Sequence, residues 1–406
     1  MPTLFQISIS INSGSIGRIA EQIGQMAITQ GWSSHITYAR NFVLPSTSKA
    51  VKIGNIFDMY WHGITTRLFD NHCLSSTYAT KKLIKKIRQI KPDIIQIHNI
   101  HGYYINMKIL FNFLKNTDMP VVWTLHDCWS FTGHCVHFDY LGCEKWLTGC
   151  GNCPQKGEYP ASKFLDRSYR NYVLKKRLFD QMKNMTIIPV SFWLEKLVKK
   201  SLLKNHPIRV IPNGIDTSIF YPIMDTRTVK KKYGINGKFI LLGAANIWGK
   251  RKGFDDFVAL NKIINHDMYI IVLVGLNNEQ KKKIPKEMIG IERTENVDEL
   301  AALYSVADVY ISCSVEETFG LTIAESMACS TPVIAYNCTA IPELVDNNTG
   351  FIVERGDVES LYKAIVKIQK KGKQYYAISC REKIMKYYNK KKCCNKYMTL
   401  YDSLLQ

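Results

Sequence analysis

Short apolar runs alternate with longer helical patterns along the whole chain. The runs are of strand length, and a regular strand–helix alternation is typical of parallel α/β sheets. We therefore predict strands at residues 4–9, 93–98, 121–126, 186–190 and 209–212 in the first half, and at 239–244, 269–274, 309–314, 332–336 and 351–353 in the second. Each half opens with a strand, so each is expected to form its own doubly wound unit.

The chain is too long for a single core, because 406 residues suit two domains. The segment Ile211-Pro212-Asn213-Gly214-Ile215-Asp216 contains a proline and an Asn-Gly pair, which favour a turn-rich hinge. We expect a first domain at 1–205 with a Cys-rich loop at 128–160, a second domain at 206–375, and a helical segment at 376–406 that packs back on the first domain.

The chain is strongly basic. Its 54 Lys and Arg residues outnumber 34 Asp and Glu residues and give a net charge of +20, which attracts phosphate-rich substrates, anionic lipids or nucleic acid. Nucleic acid is not expected as a partner, because the sequence has no DNA-binding zinc-finger spacing, RNA-binding signature or basic tail. The helical pattern at 81–91 places Lys opposite Leu and Ile, which fits either a solvated surface helix or docking on an anionic membrane.

The apolar runs are far shorter than a membrane span, and the first residues lack the charged start of a signal peptide. We therefore expect a cytoplasmic protein, peripheral on the inner face of the membrane if the basic surface binds lipid.

Two carboxylates flank a predicted helix start. Glu317 follows the strand predicted at 309–314, and Glu325 lies eight positions later, within the next helix. The backbone N–H groups of Phe319, Gly320 and Leu321 fall at the N-terminus of that helix, where unpaired donors and the helix dipole favour an anion. Two carboxylates around an anion site would suit a nucleotide sugar, although a loop Glu beside a surface-helix Glu is the simpler interpretation.

This stretch closely resembles the E-x7-E motif of the retaining glycosyltransferases of family 4. Residues 211–216 resemble the family's interdomain segment, Trp123-Thr124-Leu125-His126-Asp127 resembles its TLHD strand end, and 98–106 resembles a motif of a bacterial subgroup that builds surface polysaccharides. The resemblance implies an α/β fold of the GT-B type, with two Rossmann-like doubly wound domains facing a central cleft. The first domain would lie on the acceptor side and the second would bind the nucleotide sugar.

The resemblance also implies roles for individual residues. Glu325 would bind the ribose, Glu317 would bind the transferred sugar, and Arg251 and Lys252 would face the diphosphate. The family often has an Arg where this chain has Ile247, which leaves open which cation acts. His126 would contact the transferred sugar. The further donor-side residues are Gly14, Gly17, Asn213, Phe319, Gly320 and Leu321.

Two more histidines, His98 and His101, end or follow the strand predicted at 93–98. In one interpretation both histidines line the acceptor side of the site. In the other they have only a packing role.

The implied reaction moves a sugar from a UDP- or GDP-linked donor to a growing, lipid-linked surface glycan. The resemblance supplies no nucleophile for a double displacement, so front-side attack is the expected retaining route. No Asp-x-Asp element at a strand end suggests a divalent ion, and no catalytic metal is expected. A nucleotide-sugar epimerase on the same fold and a non-catalytic polyanion- or membrane-binding protein are the alternatives.

Four cysteines fall close together at Cys135, Cys143, Cys150 and Cys153. The last two form a Cys-x2-Cys pair in a glycine-rich turn, which suits a structural zinc site. Reduced, packed thiols are the second interpretation. Disulfides are the third, and a cytoplasmic location argues against them.

Overall fold

A computed structural model describes residues 1–40, 44–235 and 237–406 of the chain. The chain divides into two compact units. Unit 1 comprises Met1–Pro212 together with Cys393–Gln406, and unit 2 comprises Asn213–Lys392.

Unit 1 is built on a parallel sheet of six strands. In chain order, β1 to β6 cover Thr3–Ile7, Ser33–Tyr38, Lys49–Lys52, Ile94–Ile97, Val121–Leu125 and Met185–Pro189. Their order across the sheet is β3-β2-β1-β4-β5-β6, and every pairing is parallel. The sheet therefore winds outward from β1 in both directions, as in a Rossmann-like domain.

Unit 2 repeats this arrangement. Strands β7 to β12 cover Phe239–Ala244, Tyr269–Val274, Ile289–Ile291, Val309–Ser312, Val333–Tyr336 and Gly350–Val353. The sheet order is β12-β11-β10-β7-β8-β9, again all parallel. Central strands such as β10 and β11 are buried along their whole length, which explains why they appear in the sequence as unbroken apolar runs.

Helices connect the strands in both units. In the first 200 residues, α1 to α6 cover Gly14–Thr29, Ile56–Phe69, Thr77–Ile90, Met107–Leu114, Ser168–Phe179 and Phe192–Val198. The later helices, α7 to α15, cover Arg227–Tyr233, Phe254–Ile263, Asn278–Lys283, Val297–Val306, Leu321–Ala328, Ile341–Leu344, Val358–Lys371, Lys373–Lys383 and Lys390–Leu405.

The end of α15 completes the core of unit 1. The Tyr401 hydroxyl lies 3.0 Å from Gln96 Oε1, and the Tyr397 hydroxyl lies 3.0 Å from Thr124 Oγ1. Gln96 and Thr124 are themselves joined by a 2.6 Å hydrogen bond between β4 and β5. Two buried tyrosines thus satisfy polar groups inside the sheet that would otherwise be costly to bury.

The structure corrects the predicted strands in two ways. Residues 209–212 form no strand, and an isolated bridge joins Ile187 to Ile208 instead. The Arg209 and Ile211 N–H groups donate to the Ile187 and Pro189 carbonyls of β6, but Pro189 has no N–H to return a bond to residue 209, so the ladder stops there. The sequence analysis also missed β2, β3 and β9, which are partly polar or very short and lack an unbroken apolar run.

No helix in the described ranges is both long enough and apolar enough to cross a bilayer.

Tyr401→Ala should destabilise unit 1, because it removes a fully buried ring and leaves Gln96 without this partner. We expect a loss of about 3–5 kcal/mol in the free energy of unfolding, measured by urea titration. Asp402→Ala, at the exposed next position, is the matched control and should behave like the wild type. Equal stability of the two variants would show that α15 does not contribute to the core.

Candidate active site

A short basic turn lies against the carboxyl end of β10. Residues Lys250–Lys252 form one turn of 3-10 helix before α8. Gly253 ends it with φ of +68°, and a Cβ atom there would lie 2.4 Å from Cys313. The Val315 N–H also donates to the Arg251 carbonyl at 2.9 Å. The glycine therefore lets the cations approach the loop that carries Glu317.

Glu317 is held by these cations. Lys252 Nζ forms an ion pair with Glu317 Oε1, and Arg251 Nη1 lies 4.0 Å from the same oxygen. Burial raises the pKa of Glu317, but Lys252 and Arg251 outweigh that effect and lower the pKa to about 2. Arg251 also donates to the Glu316 carbonyl at 2.6 Å. The carboxylate is thus ionised, fixed in place and next to two cations that a diphosphate could engage.

The backbone of Glu317 is fixed by a residue that the sequence analysis missed. The Glu317 N–H donates to Thr339 Oγ1 at 2.9 Å, and the Thr339 hydroxyl donates back to the Glu317 carbonyl at 2.7 Å. Thr339 has φ of +48°, an uncommon conformation for a β-branched residue. Nothing in the local sequence signals this role, because Thr339 lies 22 positions from Glu317.

Glu325 lies on α11, which starts at Leu321 after Gly320. Gly320 has φ of +95°, a value that favours glycine and that turns the chain into the helix. The Tyr304 hydroxyl donates to Glu325 Oε2 at 3.1 Å. Phe319 is buried with its ring 5.6 Å from that of Tyr388. The structure thus places Glu325 in the helix and the N–H groups of 319–321 at its start, as predicted.

Asn213 begins unit 2 and is 6% exposed. Within the described part of the chain, its buried Oδ1 atom has no hydrogen-bond partner. A buried acceptor of this kind carries a desolvation cost, which a ligand donor would relieve.

In unit 1, two histidines stack at the ends of β4 and β5. His98 Nδ1 lies 3.1 Å from His126 Nε2, with ring centroids 5.4 Å apart, and His98 Nε2 lies 3.0 Å from Gln6 Oε1. Burial lowers the pKa of His126 to about 4, and burial followed by His126 lowers that of His98 well below its usual value. Both rings are therefore neutral at neutral pH, and the structure brings the two predicted residues together.

The third predicted histidine, His101, contacts Asp127 instead. His101 Nε2 lies 2.8 Å from Asp127 Oδ2, and His101 Nδ1 lies 3.3 Å from the Tyr159 hydroxyl. Asp127 also accepts from Asn99 Nδ2 at 3.1 Å and from the Trp129 N–H at 2.9 Å. Burial raises the pKa of Asp127, but His101 and the Trp129 N–H lower it to about 2. Asp127 is therefore an ionised carboxylate, fixed in place next to His126.

The two glycines after β1 differ. Gly17 packs against Ser10, because a Cβ atom would lie 2.7 Å from Ser10 Oγ. Gly14 has φ of +63° and nothing within 4 Å of a Cβ position. Close packing is therefore sufficient to explain Gly17, whereas Gly14 faces open space at the start of α1.

The four clustered cysteines line one small cavity in unit 1. A hydrogen bond between Cys135 and Cys153 raises the pKa of Cys135 and lowers that of Cys153 to about 7. Cys150 Sγ accepts from the Gly133 N–H at 3.1 Å, while burial raises the pKa of Cys150 to about 11. No disulfide joins the cysteines of the described residues, and in the same ranges no three His, Cys, Asp or Glu side chains are arranged to share a metal ion.

Comparisons with known proteins match both units. The family described as "Glycosyltransferase Family 4" matches residues 42–219, and "Glycosyl transferases group 1" matches residues 238–371. The chain belongs to glycosyltransferase family 4. It is a nucleotide-sugar-dependent glycosyltransferase of the bacterial polysaccharide type with the GT-B fold.

Individual proteins agree with the family assignment. This family 4 enzyme is 25% identical over 402 residues to the colanic acid biosynthesis glycosyl transferase WcaC of Escherichia coli (strain K12), covering 88% of this chain and 89% of the relative. It is 26% identical to the UDP-Gal:alpha-D-GlcNAc-diphosphoundecaprenol alpha-1,3-galactosyltransferase of Escherichia coli, and the match covers 51% of this chain and 57% of that relative. The structure of sucrose-phosphate synthase from Thermosynechococcus elongatus superimposes with a TM-score of 0.74 at 16% sequence identity. The superposition covers 100% of this chain and 99% of that one.

Lys252→Met should change how stability depends on pH. The pKa of Glu317 is depressed in the folded protein, so its ionised form stabilises the fold above its ordinary pKa of 4.5, and this stability is lost as the pH falls toward 2. The free energies of unfolding of wild type and variant should therefore differ by about 2–3 kcal/mol at neutral pH and become equal in acid. Urea titrations at several pH values measure the difference.

Lys250→Met is the matched control, since Lys250 is exposed in the same turn. The control should follow the wild type at every pH. A difference between Lys252→Met and wild type that stays constant with pH would contradict the proposed charge pairing.

Proposed function

We propose that the enzyme uses a UDP-linked sugar and that unit 2 holds it through Glu325, Glu317 and the basic turn. Glu325 accepts the ribose hydroxyls, and the N–H groups at the start of α11 meet the diphosphate. Glu317 holds the transferred sugar. Its fixed position between Arg251 and Lys252 is the observation that carries this proposal. The UDP-Gal donor named for one relative supports the choice of nucleotide.

The acceptor in this proposal is a lipid-linked glycan of a bacterial surface polysaccharide. The names of two relatives, one for colanic acid biosynthesis and one for a diphosphoundecaprenol-linked sugar, support this class of acceptor. His98, His101 and His126 lie at the carboxyl edge of the sheet in unit 1, where α/β domains bind ligands. His126 is neutral and can accept or donate a hydrogen bond to a sugar hydroxyl. The net charge of +20 supports a location at the inner membrane surface.

Transfer in this proposal retains the anomeric configuration by front-side attack. A double displacement needs a free carboxylate as nucleophile. Glu317 is engaged by Lys252, and its pKa of about 2 makes it a weak nucleophile. The two cations instead stabilise charge on the departing diphosphate. Removing one stabilising group of this kind typically lowers kcat by a factor of about 10²–10³. The leaving phosphate takes the acceptor proton.

A thermal-shift panel of UDP, GDP and their sugar conjugates tests the donor site. UDP compounds at about 100 times their dissociation constant should add roughly 2.7 kcal/mol to the stability of the wild type. Glu325→Ala should weaken this binding at least about tenfold, because it removes a charged acceptor of the ribose hydroxyls. Glu382→Ala, an exposed helix residue of the same unit, is the matched control and should respond like the wild type. A response to GDP compounds alone would overturn the choice of nucleotide, and an unchanged response of Glu325→Ala would overturn the site.

We also propose that the four-cysteine cavity binds a structural zinc ion. Its support is that Cys135, Cys143, Cys150 and Cys153 line one cavity and that the pKa of Cys153 is lowered, because thiolates are the ligands zinc prefers. In the described ranges these side chains are not arranged around a common point, so zinc binding would reorient them. Metal analysis of protein purified without chelator should find one zinc per chain. A Cys150→Ser, Cys153→Ser variant should lose it, whereas Cys393→Ser, at a buried cysteine of α15, should keep it. Zinc-free wild-type protein would leave reduced, packed thiols as the explanation.

A further inference from the structure

Helix α2 turns its apolar side chains toward solvent. Phe57, Tyr60 and Trp61 are 79%, 66% and 64% exposed, and Ile64 and Phe69 continue the same exposed surface. A surface helix ordinarily buries its apolar side and exposes its polar side. A contiguous exposed aromatic surface of this kind marks an interaction site.

The buried side of α2 is polar and fixed by hydrogen bonds. His62 Nδ1 lies 2.8 Å from Ser76 Oγ, and His62 Nε2 accepts from the Cys73 N–H at 3.0 Å. The Thr66 hydroxyl donates to the His62 carbonyl at 2.8 Å. Burial lowers the pKa of His62 to about 4, so the ring is neutral and can accept from Cys73. The helix cannot rotate its aromatic residues inward without breaking these bonds.

A groove of about 360 Å³ runs beside α2, lined by Ala39, Arg40, Ile56, Met59, Tyr60, Gly63, Arg67 and Tyr103. Two of these residues, Arg40 and Arg67, are exposed cations beside an apolar wall. Neither forms an ion pair with a carboxylate in the described part of the chain. Apolar surface flanked by free guanidinium groups complements a lipid that carries a phosphate.

The groove lies at the same edge of the sheet as the acceptor-side histidines. Arg40 follows β2 and Tyr103 follows β4, so both are at the carboxyl ends of parallel strands. The rings of Tyr103 and Tyr159 lie 5.9 Å apart, and the Tyr159 hydroxyl is 3.3 Å from His101 Nδ1. His101 in turn contacts Asp127. A chain of direct contacts thus connects the groove with the neighbourhood of His126.

The cationic helix α3 has the ordinary orientation. It buries Leu83, Ile84 and Ile87 and exposes its lysines. Its lysine side can attract an anionic surface from a distance. Tyr78 is the exposed aromatic residue of α3, and Lys82 Nζ lies 4.6 Å from its ring centroid, so a cation already covers the ring. Helix α2 instead presents Phe57, Tyr60 and Trp61 together, which gives it the larger aromatic surface for insertion.

We propose that α2 docks the enzyme on an anionic lipid bilayer. Phe57, Tyr60 and Trp61 enter the headgroup region, where aromatic residues are favoured, and Arg40 and Arg67 contact lipid phosphates. This inference rests on the proposed function, because a bilayer held at α2 would present a lipid-linked acceptor to the edge that carries His126. The occupant of the surface is thus the bilayer that contains the acceptor.

Vesicle co-sedimentation of the full chain tests this docking surface. Wild type should bind vesicles of phosphatidylcholine mixed with phosphatidylglycerol and bind pure phosphatidylcholine weakly. A Phe57→Ser, Trp61→Ser variant should lose at least about tenfold in affinity, since two aromatic rings no longer leave water. Arg40→Gln and Arg67→Gln should each lower the affinity for anionic vesicles about fivefold and leave binding to pure phosphatidylcholine unchanged.

Two control variants decide between surfaces. Tyr375→Ser, Ile378→Ser removes two comparably exposed apolar residues, 61% and 69%, from α14 of unit 2 and should bind like the wild type. The Lys81→Gln, Lys85→Gln variant removes charge from α3 and should lose less affinity for anionic vesicles than the Phe57→Ser, Trp61→Ser variant. Greater loss in the α3 variant, or full binding by the α2 variant, would overturn the proposal. Every variant should keep the thermal response to UDP, so a failure of docking is distinguishable from a failure of the donor site.

Discussion

The ion pair between Glu317 and Lys252, with Arg251 nearby, is the interaction on which the donor site depends. It joins the turn before α8 to the loop after β10. Gly253 allows this approach, and Thr339 fixes the backbone of Glu317 from the other side. Because a paired, buried carboxylate keeps a low pKa, the site presents fixed charges before substrate arrives. Preorganised charge of this kind is what transfer from a diphosphate requires.

In unit 1, the carboxyl edge of the sheet carries two neutral histidines, His98 and His126, and one buried carboxylate, Asp127. His98 and His126 stack, while His101 is held by Asp127. Nearby, Lys175 Nζ donates to the Trp129 and Thr132 carbonyls and fixes the loop that follows β5. Burial lowers the pKa of this lysine to about 7. The loop between Asp127 and the cysteine cavity is therefore held by buried polar contacts.

Much of the fold was predictable from apolar patterning, because the central strands of a parallel sheet are buried on both faces. Edge strands such as β3 (Lys49–Lys52) were not, since exposed Lys and Ala carry no such pattern. The Glu317 and Glu325 positions followed from their spacing and their place around a strand and a helix. Their partners Thr339 and Tyr304 could not be predicted, because those contacts depend on tertiary packing between segments distant in sequence. The outward aromatic face of α2 was also missed, since burial cannot be read from the amphipathic pattern alone.

Calorimetric titration of Glu317→Gln with UDP and with the UDP-sugar that stabilises the wild type most tests the central claim. If Glu317 holds only the transferred sugar, the variant should bind UDP as tightly as the wild type or more tightly, because Lys252 is freed for the diphosphate. The additional affinity contributed by the sugar should disappear. An equal loss of affinity for UDP and for the UDP-sugar would contradict this division between sugar and nucleotide.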